Sequence, residues 1–186
     1  MKHLGTKYIE TERLILRQFT MDDVQAMYDN WASDPEVTKF LTWPAHSNPD
    51  ITEMVLKDWI SHYNEPDYYQ WAIVFKEYGD EPIGSISVVA HDDRLMIAHI
   101  GYCIGRRWWH RGIMTESLQA VIDFLFDEVG VQRIESIHDP ENPHSGAVMR
   151  KCGMQYEGTL RKSAMNNQGL CDACWYAILA EDRKNI

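Results

Sequence analysis

The chain has 186 residues, 45% hydrophobic, 25% charged and 11% aromatic, and its 18 basic and 28 acidic residues leave a formal net charge of −10. A chain of this size buries roughly 70% of the surface its unfolded form exposes, so a core can form without disulfide or metal staples. The acidic balance argues against gripping a nucleic-acid backbone. No run of 18 apolar residues occurs and residues 1–10 lack an apolar signal core, which predicts a soluble, cytoplasmic protein with no membrane partner.

No repeat, low-complexity tract or Gly/Ser/Pro linker divides the chain, which predicts one domain over residues 1–186. Leu14 and Leu16 mark a first strand. Thr20 and Asp23 offer a capping box to a helix carrying Val24, Met27, Tyr28 and Trp31. A second helix over residues 49–63 repeats Ile51, Met54, Val55, Trp59 and Ile60 at helical spacing. Strands are predicted over 70–76 and 82–90, joined by the turn Tyr78-Gly79-Asp80, and over 96–104, all three antiparallel.

Residues 115–129 then place Leu118, Val121, Ile122, Leu125 and Val129 on one helical stripe that Gly130 closes. With a following strand over 132–138, this makes a strand-helix-strand crossover and therefore a parallel pair. Asn142-Pro143, an N-cap residue with proline at the first helical position, opens a helix ending at Gly153. Strands over 154–161 and 170–179 complete the order βααβββαβαββ, an α/β or α+β fold on one mixed sheet.

Four cysteines, Cys103, Cys152, Cys171 and Cys174, are expected as thiols in an unexported chain. Cys171 and Cys174 have the spacing of a zinc or redox pair. No second pair matches them, and a strand through residues 175–179 sends positions three apart to opposite faces, so no metal is expected.

The segment from Gly105 to Gly112 holds Arg106, Arg107 and Arg111 and no acid, between a strand end and a helix start. That combination predicts an anion site, since backbone N–H groups at a helix N-terminus bind phosphate and Gly112 lets the ligand approach.

Several segments, in this order and spacing, resemble the GNAT superfamily of acyl-CoA-dependent N-acetyltransferases, and within it the ribosomal-protein-type N-terminal acetyltransferases. They are Thr11-Glu12-Arg13-Leu14-Ile15-Leu16-Arg17, Ile100-Gly101-Tyr102, and the stretch from Trp109-His110-Arg111-Gly112 to Ser117. Asn142-Pro143-His144-Ser145, Lys151-Cys152-Gly153-Met154, Glu157 to Arg161 and Trp175 to Leu179 complete the set. The resemblance implies a single domain whose mostly antiparallel sheet has one parallel pair splayed to hold acyl-CoA. Acetyl-CoA is then the co-substrate, and Tyr102, Cys103, Ile104, Arg107, Gly112, Ile113, Met114, Thr115 and Asn142 are its expected contacts. Of the family's Q/R-x-x-G-x-G/A phosphate loop only Gly112 is retained. Trp109 and Met114 stand at its ends, and His110 stands where this branch usually has another glycine. Because the loop binds through backbone donors, outward-pointing side chains need not abolish binding, although they can change affinity or loop shape.

The implied reaction is direct attack of a neutral amine on the acetyl thioester. The family branch commonly has Glu two positions before the Gly of Ile-Gly-Tyr, and His99 stands there, a candidate base that is mostly neutral at pH 7. Most members protonate the leaving thiolate from a tyrosine, at the position Met149 holds here. The ribosomal-protein type uses a serine three residues after the Asn, which places Ser145 in that role. Packing alone also explains His99, and capping alone explains Ser145 and Asn142. The expected acceptor is a protein N-terminus or a small cationic amine, met by the aromatic amino-terminal helices. A homodimer is one open arrangement, and an acyl-CoA sensor without turnover is the alternative reading.

Overall fold

The computed structural model describes residues 1–185, and for residues 184 and 185 only the backbone. Eight strands form one sheet: β1 (Ile9–Glu10), β2 (Leu14–Arg17), β3 (Gln70–Phe75), β4 (Pro82–Asp92), β5 (Ile97–Ile104), β6 (Arg133–His138), β7 (Gln155–Asn166) and β8 (Gly169–Leu179), ordered β1-β2-β3-β4-β5-β6-β8-β7. All neighbours are antiparallel except β5 and β6. The helices are α1 (Val24–Met27), running into a wide turn over Tyr28–Ala32, α2 (Pro35–Thr38), α3 (Pro49–Ser61), α4 (Ile113–Phe124), running into a wide turn over Leu125–Val129, and α5 (Pro143–Lys151).

Helices cover both faces of the sheet, so the middle strand β3 is buried at every position, as its unbroken apolar run Trp71-Ala72-Ile73-Val74-Phe75 requires. Toward α4, the stripe Leu118, Val121, Ile122 and Leu125 packs on Leu14, Leu16, Trp71, Ile73 and Ile100. Toward α1 and α3, Phe19, Met27, Trp31, Val37 and Leu56 pack on Ala72, with Cys103 at their margin. No described helix is long and apolar enough to cross a membrane.

The predicted elements are present, with α3 ending two residues before 63, further shifts of boundary and two short additions. Helix α4 starts at Ile113, two residues before 115, because Gly112 takes the left-handed conformation (φ 73°) that ends the loop and opens the helix. Strand β7 runs to Asn166 instead of 161, across a bulge between Leu160 and Ala164 that the sequence pattern did not show. The short strand β1 and helix α2 were not anticipated. All four cysteines are free thiols. Cys171 and Cys174 meet different partners, Asn166 Nδ2 at 3.4 Å and Thr159 Oγ1 at 3.2 Å.

Candidate active site

The site is built on the one parallel pair. β5 pairs with β4 from Ile97 to Ile104, but with β6 only over Ile97, Ala98 and His99, opposite Arg133, Ile134 and Glu135. Beyond that the strands separate, and the Ser136 hydroxyl donates to the Ile100 carbonyl at 2.8 Å where the ladder stops. The predicted splay of the parallel pair is therefore present.

Strand alternation gives the opening two different sides. Ala98 and Ile100 are core residues facing α4, and Tyr102 lies on the same side. The Tyr102 hydroxyl is 3.0 Å from both the carbonyl oxygen and Oγ of Ser145, on the first turn of α5. The carbonyl can only accept, so the phenol can donate to it while receiving the serine proton. Alternatively the phenol donates to Oγ and leaves the serine proton free. Burial pushes the Tyr102 phenol well above its ordinary range, so it keeps its proton at neutral pH.

His99 lies on the opposite side. Its ring meets Trp175 edge to face at 5.6 Å, and its Nδ1 is 3.6 Å from Glu135 Oε1. Glu135 also accepts from Arg133 Nε at 3.0 Å, and the Arg133 guanidinium makes two bonds to Glu157 at 2.8 and 2.6 Å. Burial lowers the His99 pKa, Glu135 opposes that, and burial prevails, so the imidazole is neutral at pH 7. The Trp175 indole N–H beside it is buried without a partner among the described residues. The turn between β7 and β8 closes this side, where Asn167 Nδ2 donates to the Thr38 and Trp43 carbonyls, both at 2.7 Å.

At the mouth of the opening stand the starts of α4 and α5, joined by the rings of His110 and His144, edge to face at 5.0 Å. The loop before α4 turns through two left-handed residues, His110 (φ 60°) and Gly112 (φ 73°). Ile113 and Met114 bury their side chains in the core, so a ligand at this helix start meets their backbone. An open cavity of about 530 Å³ beside them is lined by Gly112, Thr115, Glu116 and Lys151 among others.

Each of the three arginines in the segment predicted as an anion site meets a protein partner. Arg106 pairs with Asp34 at 2.7 Å, Arg111 donates to the Tyr78 hydroxyl at 2.9 Å, and Arg107 lies over the Tyr78 ring at 5.1 Å. Among the described residues only Arg106 meets an acid; Tyr78 is neutral, so the exposed Arg107 and Arg111 add positive charge to that of the helix starts. A further cation beside Gly112 is Arg13, which donates to the Arg111 carbonyl at 3.1 Å and to Glu116 Oε2 at 2.7 Å. Burial alone would raise Glu116, but hydrogen bonds from Thr11 and from the Arg13 backbone and guanidinium hold it below the usual carboxylate range. In the sequence Arg13 stood only within the resembling segment Thr11 to Arg17, with no contact assigned to it.

Asn142 holds the N-cap position of α5, yet its side chain makes no capping bond, contrary to expectation. At φ −111° and ψ 64° its backbone leaves the extended region in which a cap side chain reaches forward. Ser145 does not cap either, since its hydroxyl faces Tyr102. Ile104 ends β5 with its carbonyl accepting from Trp109 Nε1 at 2.9 Å. Cys103 points toward α1 and α3 with Sγ 3.4 Å from Ser85 Oγ, and burial pushes its thiol up to about 11. Glu135 was missed because it reaches His99 only across the parallel register, a pairing no local spacing reveals.

A family model for the acetyltransferase (GNAT) domain matches residues 13–155. The N-acetyltransferase p20 of Bacillus licheniformis is 32% identical over 176 residues, 92% of this chain and 96% of that one. The ribosomal-protein-serine acetyltransferase of Escherichia coli strain K12 is 28% identical over 145 residues, 77% of this chain and 79% of that one. A solved ribosomal L7/L12 alpha-N-protein acetyltransferase in complex with coenzyme A shares the fold, with TM-score 0.82 and 22% identity over 93% of this chain and 98% of that one.

Proposed function

The chain belongs to the GNAT acetyltransferase family and is an acyltransferase; from that premise we propose that it moves the acetyl group of acetyl-CoA to a primary α-amine, a protein N-terminus above all. The observation that carries this reading is the parted pair β5 and β6, with His99 on one side of the opening and Ser145 on the other.

The residues present fit acetyl-CoA. Backbone donors of Gly112, Ile113, Met114 and Thr115 suit its diphosphate, with Arg13 beside Gly112 and the exposed Arg107 adding positive charge. Gly101 to Ile104 on the open edge of β5 and the uncapped Asn142 suit the amides of its pantetheine arm. Bound there, acetyl-CoA supplies a thioester carbon open to attack.

The chain's own groups then divide the work. A neutral His99 accepts the amine proton, directly or through one water, and Glu135 stabilises the imidazolium that results. Ser145 donates a hydrogen bond to the leaving sulfur from the other side, where the α5 start favours the thiolate's negative charge and Tyr102 holds the hydroxyl in place; the thiolate then takes its proton from solvent. An α-amine needs roughly 3.5 kcal/mol less than a lysine to lose its proton at neutral pH, which suits a base as weak as imidazole. The activity named for the Escherichia coli relative, on a ribosomal protein, supports the same acceptor class.

The test is release of free thiol from acetyl-CoA with peptides bearing a free N-terminus, the same peptides blocked at that end, and small diamines. Turnover confined to free N-termini is expected, and turnover with diamines alone would overturn the acceptor. Binding without turnover across the panel would favour the acyl-CoA sensor. The rate should rise with pH through a midpoint below 6.5, the ordinary histidine value, because burial lowers His99. The stability that His99 contributes has the same sign, complete above 6.5 and lost as pH falls through its lower folded value. His99→Gln should remove that acidic limb and lower kcat by about 10²- to 10⁴-fold.

A further inference from the structure

At the other end of α4, away from Gly112, the first residues of the chain lie beside the turn between β4 and β5. Lys2 N–H donates to the Val129 carbonyl at 2.8 Å, which brings His3 to His91 and Asp93. His3 Nε2 is 3.0 Å and His91 Nδ1 3.1 Å from the same oxygen, Asp93 Oδ1. The two rings are 4.9 Å apart and tilted by 53°, so their nitrogens converge on the carboxylate instead of the planes stacking.

We propose that His3, His91 and Asp93 form a binding site for one first-row divalent transition ion, with zinc the best fit. Three observations carry it. The candidate ligand atoms, one per residue, all lie within 4.8 Å of one another. Ligands of a tetrahedral zinc at its usual bond lengths sit roughly 3.3 Å apart, so the two contacts to Asp93 need open by only a few tenths of an ångström.

The far nitrogen of each ring faces an oxygen, as in metal-bound imidazoles whose outer N–H is held. His3 Nδ1 is 3.0 Å from the Tyr69 hydroxyl, and His91 Nε2 is 3.8 Å from Asp67 Oδ2. Tyr69 can accept as well as donate, so it suits either tautomer of His3.

Two imidazoles and one carboxylate also select the class of ion. Calcium and magnesium prefer oxygen ligands, whereas this set suits zinc and its neighbours. The Asp93 side chain is 53% exposed, which leaves the fourth position to water. The ion would fasten residues 1–5 to the β4–β5 turn. His91 pairs with Ala98, on the sheet face opposite His99, and the site adjoins the Val129 end of α4, the far end from Gly112 and the start of α5, so it is separate from acetyl transfer. Sequence spacing could not show it, because positions 3 and 91 meet only in the folded chain.

The test is calorimetric titration of the chelator-stripped full chain with zinc chloride at pH 7.5. One zinc per chain is expected, with at least tenfold weaker binding in His91→Ala and in Asp93→Asn, each checked for folding by circular dichroism. His91→Ala also separates this site from one built by His3 and the chain start. Cobalt(II) loading of the unaltered protein gives a readout that needs no variant: a spectrum without thiolate-to-metal charge transfer is expected. No zinc binding, binding that both variants retain, or binding lost in Cys171→Ser would overturn the proposal.

Discussion

Two helices of this protein begin with Asn-Pro and use the asparagine in opposite ways. At the start of α3, Asn48 is extended and its Oδ1 accepts from the N–H groups of Asp50 and Ile51 at 3.0 and 3.3 Å, with Asp50 adding negative charge to the first turn. At the start of α5, Asn142 makes no capping bond, no acid lies in the first turn, and the Ser145 hydroxyl is drawn to Tyr102. Helix α3 thus satisfies its own positive end, while α5 leaves its end open beside the parted strands. The same dipeptide is structural in one place and available to a ligand in the other, and the difference lies in the backbone angles and in the residues after the proline.

Of the two helices, the open one should give the larger effect. Ser145→Ala removes a donor aimed at the site and should lower kcat by about 10²-fold with acetyl-CoA binding nearly unchanged, as steady-state kinetics and calorimetry would show. An equal loss of binding would instead make the hydroxyl a ligand contact.

A methyl group at Gly146, one residue on, would overlap the His138 ring, in particular Nε2, so α5 sits against β6 with no room to spare. Gly146→Ala should cost about 2 kcal/mol. For a chain of this size that lowers Tm by roughly 4–8 °C in a thermal melt. An unchanged Tm would show that the helix can slide, and its start would then not be a fixed element of the site.

The paired asparagines give the smallest effects and the sharpest contrast. Asn142→Ala should weaken acetyl-CoA binding by roughly fivefold to tenfold, the loss of one hydrogen bond, with no change in Tm. Asn48→Ala should do the reverse, costing about 1 kcal/mol and 2–4 °C while acetyl-CoA affinity holds. Tyr102→Phe belongs with these, lowering kcat roughly threefold to tenfold by freeing the serine hydroxyl without removing it.

The elements that local pattern dictates were legible in the sequence: the α4 stripe from Leu118 to Val129, the closing Gly130, and the β3 and β4 runs. So was the meeting of a strand end, a glycine and a helix start near Gly112. What escaped depends on tertiary partners. Local charge singled out Arg106, Arg107 and Arg111, but not the partners that the fold brings to them, Asp34 and Tyr78, both remote in sequence. Arg13 and Glu135 reach the site through a strand neighbour and a parallel register, and neither leaves a local signature. Asn142 reads as a cap in sequence, and only its backbone angles show that it is not one.

The most direct test of the account is amide hydrogen exchange with and without acetyl-CoA. Added protection should fall on residues 100–104, 112–116 and 142–146, the open edge of β5 and the two helix starts at its mouth, with none at 48–52. Protection spread evenly over the chain, or found at the α3 start and missing from α5, would contradict it.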